Sequence, residues 1–237
     1  MNKKILSLFI GLMALTVSTS QAQEFKLGLK GGINRSFGGE IDANDSNNPG
    51  RYTDETFTPD GKIGFHVGGW AQVNFGKFFV RPELVYSEVK SEYVFPGSTS
   101  LYEVTEFSVP LLVGYNVWGP LDIYAGPAYK NIIDATMEKL EPVNDPPQVV
   151  VQNTPFTAQV GAKVEFGSFG LDVRYEKSLS SADIQGVDFL NDGVIGGINR
   201  ADITDGRYDQ LIVSLTFKLF DTANKNKRRR RGGSCYF

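Results

Sequence analysis

The chain of 237 residues has one cysteine, one histidine, two tryptophans and no marked excess of either charge, 24 Lys+Arg against 27 Asp+Glu giving a net of −3. A single cysteine excludes a disulfide scaffold and a cysteine-based structural zinc site. A single histidine argues against the commoner His-rich metal centres. The near balance of charge gives no reason to expect a nucleic-acid partner. No stretch beyond the N-terminus approaches 18 consecutive apolar residues, so a helical membrane bundle is excluded as well.

What the sequence has at its start is a three-part leader. Lys3-Lys4 precede the apolar run Ile5 to Leu15, and Ser18-Thr19-Ser20-Gln21-Ala22 follow. A basic segment, a short apolar segment and small residues at −3 and −1 predict a secretory signal peptide over 1–22, cleaved after Ala22. Eleven apolar residues are too few to span a bilayer core of about 30 Å as a helix.

Beyond the leader, eight segments alternate with period two, the signature of strands with two unlike faces. Phe25, Leu27, Leu29, Gly31 and Ile33 share a face opposite Lys26 and Lys30. Ile63, Phe65, Val67, Gly69, Ala71, Val73 and Phe75 alternate with Lys62, Gly64, His66, Gly68, Trp70, Gln72 and Asn74. The pattern recurs from Phe78 to Tyr86, Phe107 to Val117, Leu121 to Tyr129, Phe156 to Phe166, Leu171 to Tyr175 and Leu211 to Leu219. No position on the apolar faces is charged, although 22% of the chain is.

The opposite faces hold Lys26, Lys30, Arg81, Lys163, Arg174 and Lys218 with Glu83, Glu106, Asp122, Glu165, Asp172 and Glu176. Mixed signs in similar number suit a closed interior in which each charge finds a partner. Connections near 76–77, 118–120 and 167–169 are short, whereas those near 34–61, 88–102, 131–154 and 179–207 are long and polar. Aromatic residues bracket the apolar band at both ends, among them Phe75, Phe78, Trp118 and Phe169 at one and Tyr86, Phe107, Tyr129, Tyr175 and Tyr208 at the other. The expected fold is therefore all-β: an eight-stranded antiparallel transmembrane β-barrel, an up-and-down meander over 23–220. Pro82, Pro110 and Pro127 fall inside strands, where a missing N–H predicts bulges or distorted pairing.

The strings Arg81-Pro82-Glu83-Leu84-Val85-Tyr86-Ser87, Val109-Pro110-Leu111-Leu112-Val113-Gly114-Tyr115, Tyr124-Ala125-Gly126-Pro127 and Arg174-Tyr175 resemble the PorT-like outer-membrane β-barrel family. The resemblance covers the barrel and implies eight strands and an outer-membrane address. It implies no single shared activity.

Candidate sites are few. The interior charges Lys26, Lys30, Arg81, Glu83, Lys163, Glu165, Asp172, Arg174 and Glu176 form an expected lumen network. Eight strands leave an interior that side chains fill, so a salt-bridged plug is expected rather than a pore. His66, the only imidazole, lies on the polar face with no serine in a nucleophile-elbow context, which disfavours a lipid-modifying enzyme. Asp42 to Asn48 lack the full calcium-loop pattern. No catalytic, cofactor or metal site is expected. The last segment, 221–237, is basic through Lys225, Lys227, Arg228, Arg229, Arg230 and Arg231, and reads as a disordered periplasmic tail. The expected contacts are outer-membrane lipid and an envelope protein met through the long loops or this tail. A small porin or passive transporter is the second reading.

Overall fold

The computed structural model describes residues 23–43, 55–95, 98–138, 155–179, 185–191, 197–205 and 208–223. The leader and the basic cluster therefore lie outside the described residues. Eight strands close a barrel: β1 (Gln23–Phe37), β4 (Asp60–Phe75), β5 (Phe78–Phe95), β6 (Ser98–Trp118), β7 (Leu121–Met137), β8 (Phe156–Phe166), β9 (Phe169–Ser178) and β12 (Asp209–Asp221). Each pairs antiparallel with its chain neighbours among the eight, and β12 returns to β1, so the barrel has no free edge. Closure matters because an open edge would leave a row of backbone donors and acceptors unpaired in hydrocarbon.

Three two-residue turns join β4 to β5, β6 to β7 and β8 to β9 at one end. Gly76, Gly119 and Gly167 there have φ of 65°, 49° and 62°. Tight hairpin turns require positive φ, which glycine adopts at no steric cost.

The parity read from the sequence holds on every barrel strand. Leu29, Val67, Leu84, Val113, Val160 and Leu215 face outward and are exposed, while Lys30, Arg81, Glu83, Lys163, Asp172 and Arg174 face inward and are buried. Space for the large inward side chains comes from glycines on adjacent strands. A Cβ at Gly114 would collide with the Phe79 ring, and one at Gly28 with the Trp70 ring. Each glycine is the direct cross-strand partner of the aromatic it accommodates.

One expectation needs correction, and of the two alternatives set for the prolines one is met. Among the described residues the long connections are largely strand. Residues 88–102 continue β5 and β6 as a projecting hairpin, and β7 runs on to Met137. The first and fourth connections contribute β2 (Glu40–Ala43), β3 (Glu55–Phe57), β10 (Gln185–Asn191) and β11 (Gly197–Asp205) to a separate four-stranded sheet in the order β10-β11-β2-β3. These segments alternate less regularly than the barrel strands, so period-two reasoning passed over them.

The prolines distort the pairing and cause no bulge. The register between β5 and β6 is the same at Pro82↔Leu111 and at Val85↔Ser108, with paired contacts lapsing between. The same happens between Pro110↔Ala128 and Val113↔Ala125 on β6 and β7. Distorted pairing is thus found, and the barrel wall absorbs each missing N–H without changing register. Register shifts occur elsewhere, for example between Thr105 and Glu106 opposite Ile132 and Asp134.

At the long-loop end the two faces exchange character. Along β5 the outward row runs Phe78, Val80, Pro82, Leu84 and Tyr86, then turns to Glu88, Lys90 and Glu92. The inward row runs Arg81 and Glu83, then turns to Val85, Val89 and Tyr93, all buried. Val89, Val104 and Tyr208 form an apolar cluster inside this extension, with Tyr102, Ile132 and Ala135 packed on it. The extra residue at Ile133 leaves that side chain exposed and returns Ala135 to the interior, the re-aiming that a bulge provides. Up to Tyr86 the barrel is apolar outside and charged inside. Beyond it, the wall has the polarity of a water-soluble protein.

Candidate functional site in the barrel interior

The strand order places β9 opposite β5, β12 opposite β6, and β8 opposite β4, each four places apart in a ring of eight. Side chains bridge all three of these diameters, at three levels of the lumen.

At the middle level Arg174 on β9 reaches Glu83 on β5. Its Nη1 donates to Oε2 at 3.0 Å and its Nη2 to Oε1 at 3.1 Å. Such a fork is geometrically specific and stronger than a neutral hydrogen bond. Lys30 Nζ donates to the same Oε2 at 2.9 Å. Arg174 Nε also donates to Asp172 Oδ1 at 3.2 Å, and Tyr124 Oη donates to that oxygen at 2.6 Å. Arg81 lies with Nε 2.9 Å from Glu83 Oε1 and its guanidinium 4.4 Å from the Trp70 ring centre.

Towards the long-loop end, Glu106 on β6 accepts hydrogen bonds from Tyr208 Oη at 2.5 Å and Gln210 Nε2 at 3.0 Å. Lys130 pairs with Glu106 at 3.3 Å and with Glu176. Gln159 joins the two levels, accepting from Arg174 Nη1 at 2.9 Å and donating to Glu176.

At the short-turn end Lys163 on β8 spans to Gln72 on β4 at 3.4 Å and pairs with Asp122 and Glu165, each at 3.2 Å. Lys26 and Lys218 also contact Glu165, at 3.5 and 3.4 Å. A polar cavity of about 350 Å³ opens beside this level, lined by Lys26, Lys77, Asp122, Glu165 and Lys218 among others.

All nine residues of the expected lumen network therefore face the interior, and every one takes part in an ion pair. Lys130, Tyr208, Gln210, Tyr124 and Gln159 complete the network and were not assigned to it from the sequence. Lys130 had a detectable signal, because it follows the outward Tyr129 and so takes inward parity. Tyr208, expected among the girdle aromatics of the long-loop end, instead turns inward to Glu106; it precedes β12, where no alternation fixes its parity.

His66 lies 2.8 Å from Ser214 Oγ through Nε2. The pair joins β4 to β12 across the glycine at position 32, and both side chains are buried. Among the described residues no group of three or more His, Cys, Asp or Glu has the arrangement of a metal site.

The family model of the outer membrane protein beta-barrel domain matches residues 20–183. Among curated proteins none matches the sequence. Similar solved structures include OprG of Pseudomonas aeruginosa, 11% identical over 84% of this chain and 96% of its own, with a TM-score of 0.45. Ail of Yersinia pestis, solved with the heparin analogue sucrose octasulfate, is 9% identical over 82% of this chain and 99% of its own, at 0.40. Neisserial surface protein A is 10% identical over 81% and 96%, at 0.36. Likenesses of that strength carry no argument about activity. The family match spans more than half of the sequence, so the chain belongs to the outer membrane protein beta-barrel domain family, and its place is the outer membrane.

Proposed function

We propose that this protein is a closed, non-enzymatic barrel that holds a recognition surface at the long-loop end for a partner in the cell envelope. The observation that carries the reading is the filled lumen. Three bridged diameters and an apolar cluster above them leave side chains where a solute would pass. A structure rigid throughout its interior suits a scaffold better than a channel.

The part available to a partner is the projecting β5–β6 hairpin together with the sheet β10-β11-β2-β3. Ion pairs dress the outside of the extension. Lys90 contacts Glu88 at 2.7 Å and Glu103 at 2.8 Å, and Lys62 contacts Glu92 at 2.7 Å. A place in an envelope or secretion assembly belongs to this reading; the resemblance to PorT-like barrels is compatible with it and assigns no activity. In this reading residues 1–22 direct export, short turns face the periplasm, and the tail from 221 offers Arg228, Arg229, Arg230 and Arg231 there as a second contact.

A non-enzymatic role is supported by the burial of His66 and Ser214, which keeps that pair from any substrate outside the barrel. The testing experiment is cross-linking in intact cells, affinity purification from the outer membrane and mass spectrometry. One abundant partner, lost when residues 88–102 are shortened or the tail is removed, is the expected result. Recovery of no reproducible partner, with stepwise conductance from the pure protein in planar bilayers, would instead establish the passive-transporter reading.

A further inference from the structure

We propose that the barrel interior binds a small monovalent anion, of halide size, against the guanidinium of Arg81. This side chain is fully buried, and none of its three nitrogens makes a hydrogen bond with the described residues. Its Nε is close to Glu83 Oε1 but off the line a hydrogen bond needs, and its Nη1 is 4.0 Å from Asp172 Oδ2. Guanidinium stays protonated and carries five N–H donors, so desolvating it with no acceptor is costly.

The acceptors nearby are already engaged. Glu83 Oε1 accepts from Arg174, and Oε2 accepts from Arg174 and Lys30. Asp172 Oδ1 accepts from Tyr124 and Arg174, and Oδ2 from Arg174 at 3.3 Å. Trp70 covers one face of the guanidinium, which leaves the in-plane donors as the groups still lacking a partner.

Charge points the same way. At this level Lys30, Arg81 and Arg174 face only Glu83 and Asp172, an excess of one positive charge. The surplus carboxylate of the level above is tied through Gln159 to Arg174, with no contact to Arg81. Water would satisfy donors and leave the charge; a small anion answers both. Lys163, whose Nζ lies 5.8 Å from the centre of the same Trp70 ring, adds a further positive charge on the short-turn side.

The test uses the full mature chain crystallised from bromide, with diffraction collected at the bromine edge. The expected result is one anomalous peak within hydrogen-bond reach of Arg81 inside the barrel. Ordered water alone at that position, or bromide confined to the exterior (an adventitious ion only), would overturn the proposal. In detergent, replacing gluconate by bromide at constant ionic strength should raise the unfolding midpoint of the wild type, and leave that of Arg81→Met unmoved. If Arg81→Met does not fold, Lys30→Met supplies the same reading, because it removes the excess charge and keeps the guanidinium. A wild type indifferent to bromide, or an undiminished response in the variant that folds, counts against the site.

Discussion

Arg174 and Glu83 meet as a two-pronged pair across the full width of the barrel, from strands with three others between them on either side. Both side chains are out of reach of solvent. Removing one partner strands the other charge, which typically costs about 3–5 kcal/mol, whereas removing both costs much less. Glu83→Gln and Arg174→Gln should each lower the urea midpoint of the barrel in detergent, and the double variant should fall short of their sum. Simple additivity in that cycle would show the two side chains to be energetically independent.

Gly114 faces the Phe79 ring at a directly paired position. Overpacking of this kind costs about 1–3 kcal/mol. Gly114→Val is expected to destabilise the barrel by that order, with most of the loss recovered in Gly114→Val/Phe79→Ala. Equal stability of wild type and Gly114→Val, followed in parallel unfolding titrations, would contradict the space argument.

Ion flow offers a third check. Planar-bilayer recordings of the purified protein should show no stepwise conductance, because Glu106 is held by Tyr208 and Gln210 across one diameter while Lys130 pairs with it from β7. Truncating Glu106, Gln210 and Lys130 together to alanine should thin this level. Frequent channel openings in the unmodified protein would refute the plug.

The water-exposed base of the β4–β5 extension titrates in a defined way. Hydrogen bonds and charge from Lys62, then Arg35, hold Asp60 below its ordinary value of 3.8, and Glu92 then Asp60 hold Lys62 above its ordinary 10.5. The Asp60 contribution is present above the unfolded value and disappears as pH falls through the depressed one. The Lys62 contribution is present below its unfolded value and disappears as pH rises through the raised one. Protection factors against hydrogen exchange around 60–62 and 90–92 should therefore be flat through neutrality, falling only in acid below about pH 4 or in strong base. A change centred near pH 7 would point to other groups.

Truncation after Ala223 should leave insertion intact. Phe220, next to the last residue of β12, packs against Phe25 with ring centres 6.3 Å apart, while Thr222 Oγ1 accepts from the Phe25 amide at 2.9 Å. The check is heat-modifiable migration on gels of membrane fractions. Loss of insertion would assign the terminal aromatic role to Phe237.

The barrel was legible because its walls separate two unlike media, and a strand between unlike media must alternate. Leu29 beside Lys30, and Val173 beside Arg174, carry that signal in two residues. The lumen network was legible by parity alone, though not its pairing, since which cation meets Glu83 depends on strand order around the ring. Tyr208, the sheet β10-β11-β2-β3 and the extension of β5 and β6 were not legible. Where water bathes the outside, the contrast between faces weakens, and apolar residues such as Val89 and Val104 sit on the face that carried charge a few positions earlier.

That exchange of faces at Tyr86 and Glu88 also gives the molecule a waterline. A shift outward would lift Leu84 and Phe107 into water, and a shift inward would drag Glu88 and Lys90 with their ion pairs among acyl chains. Both displacements are opposed, so the barrel floats at one draught whatever its surroundings. A bilayer of another thickness has to bend to meet it, and neighbouring lipids or proteins that prefer such a bend would gather at its side.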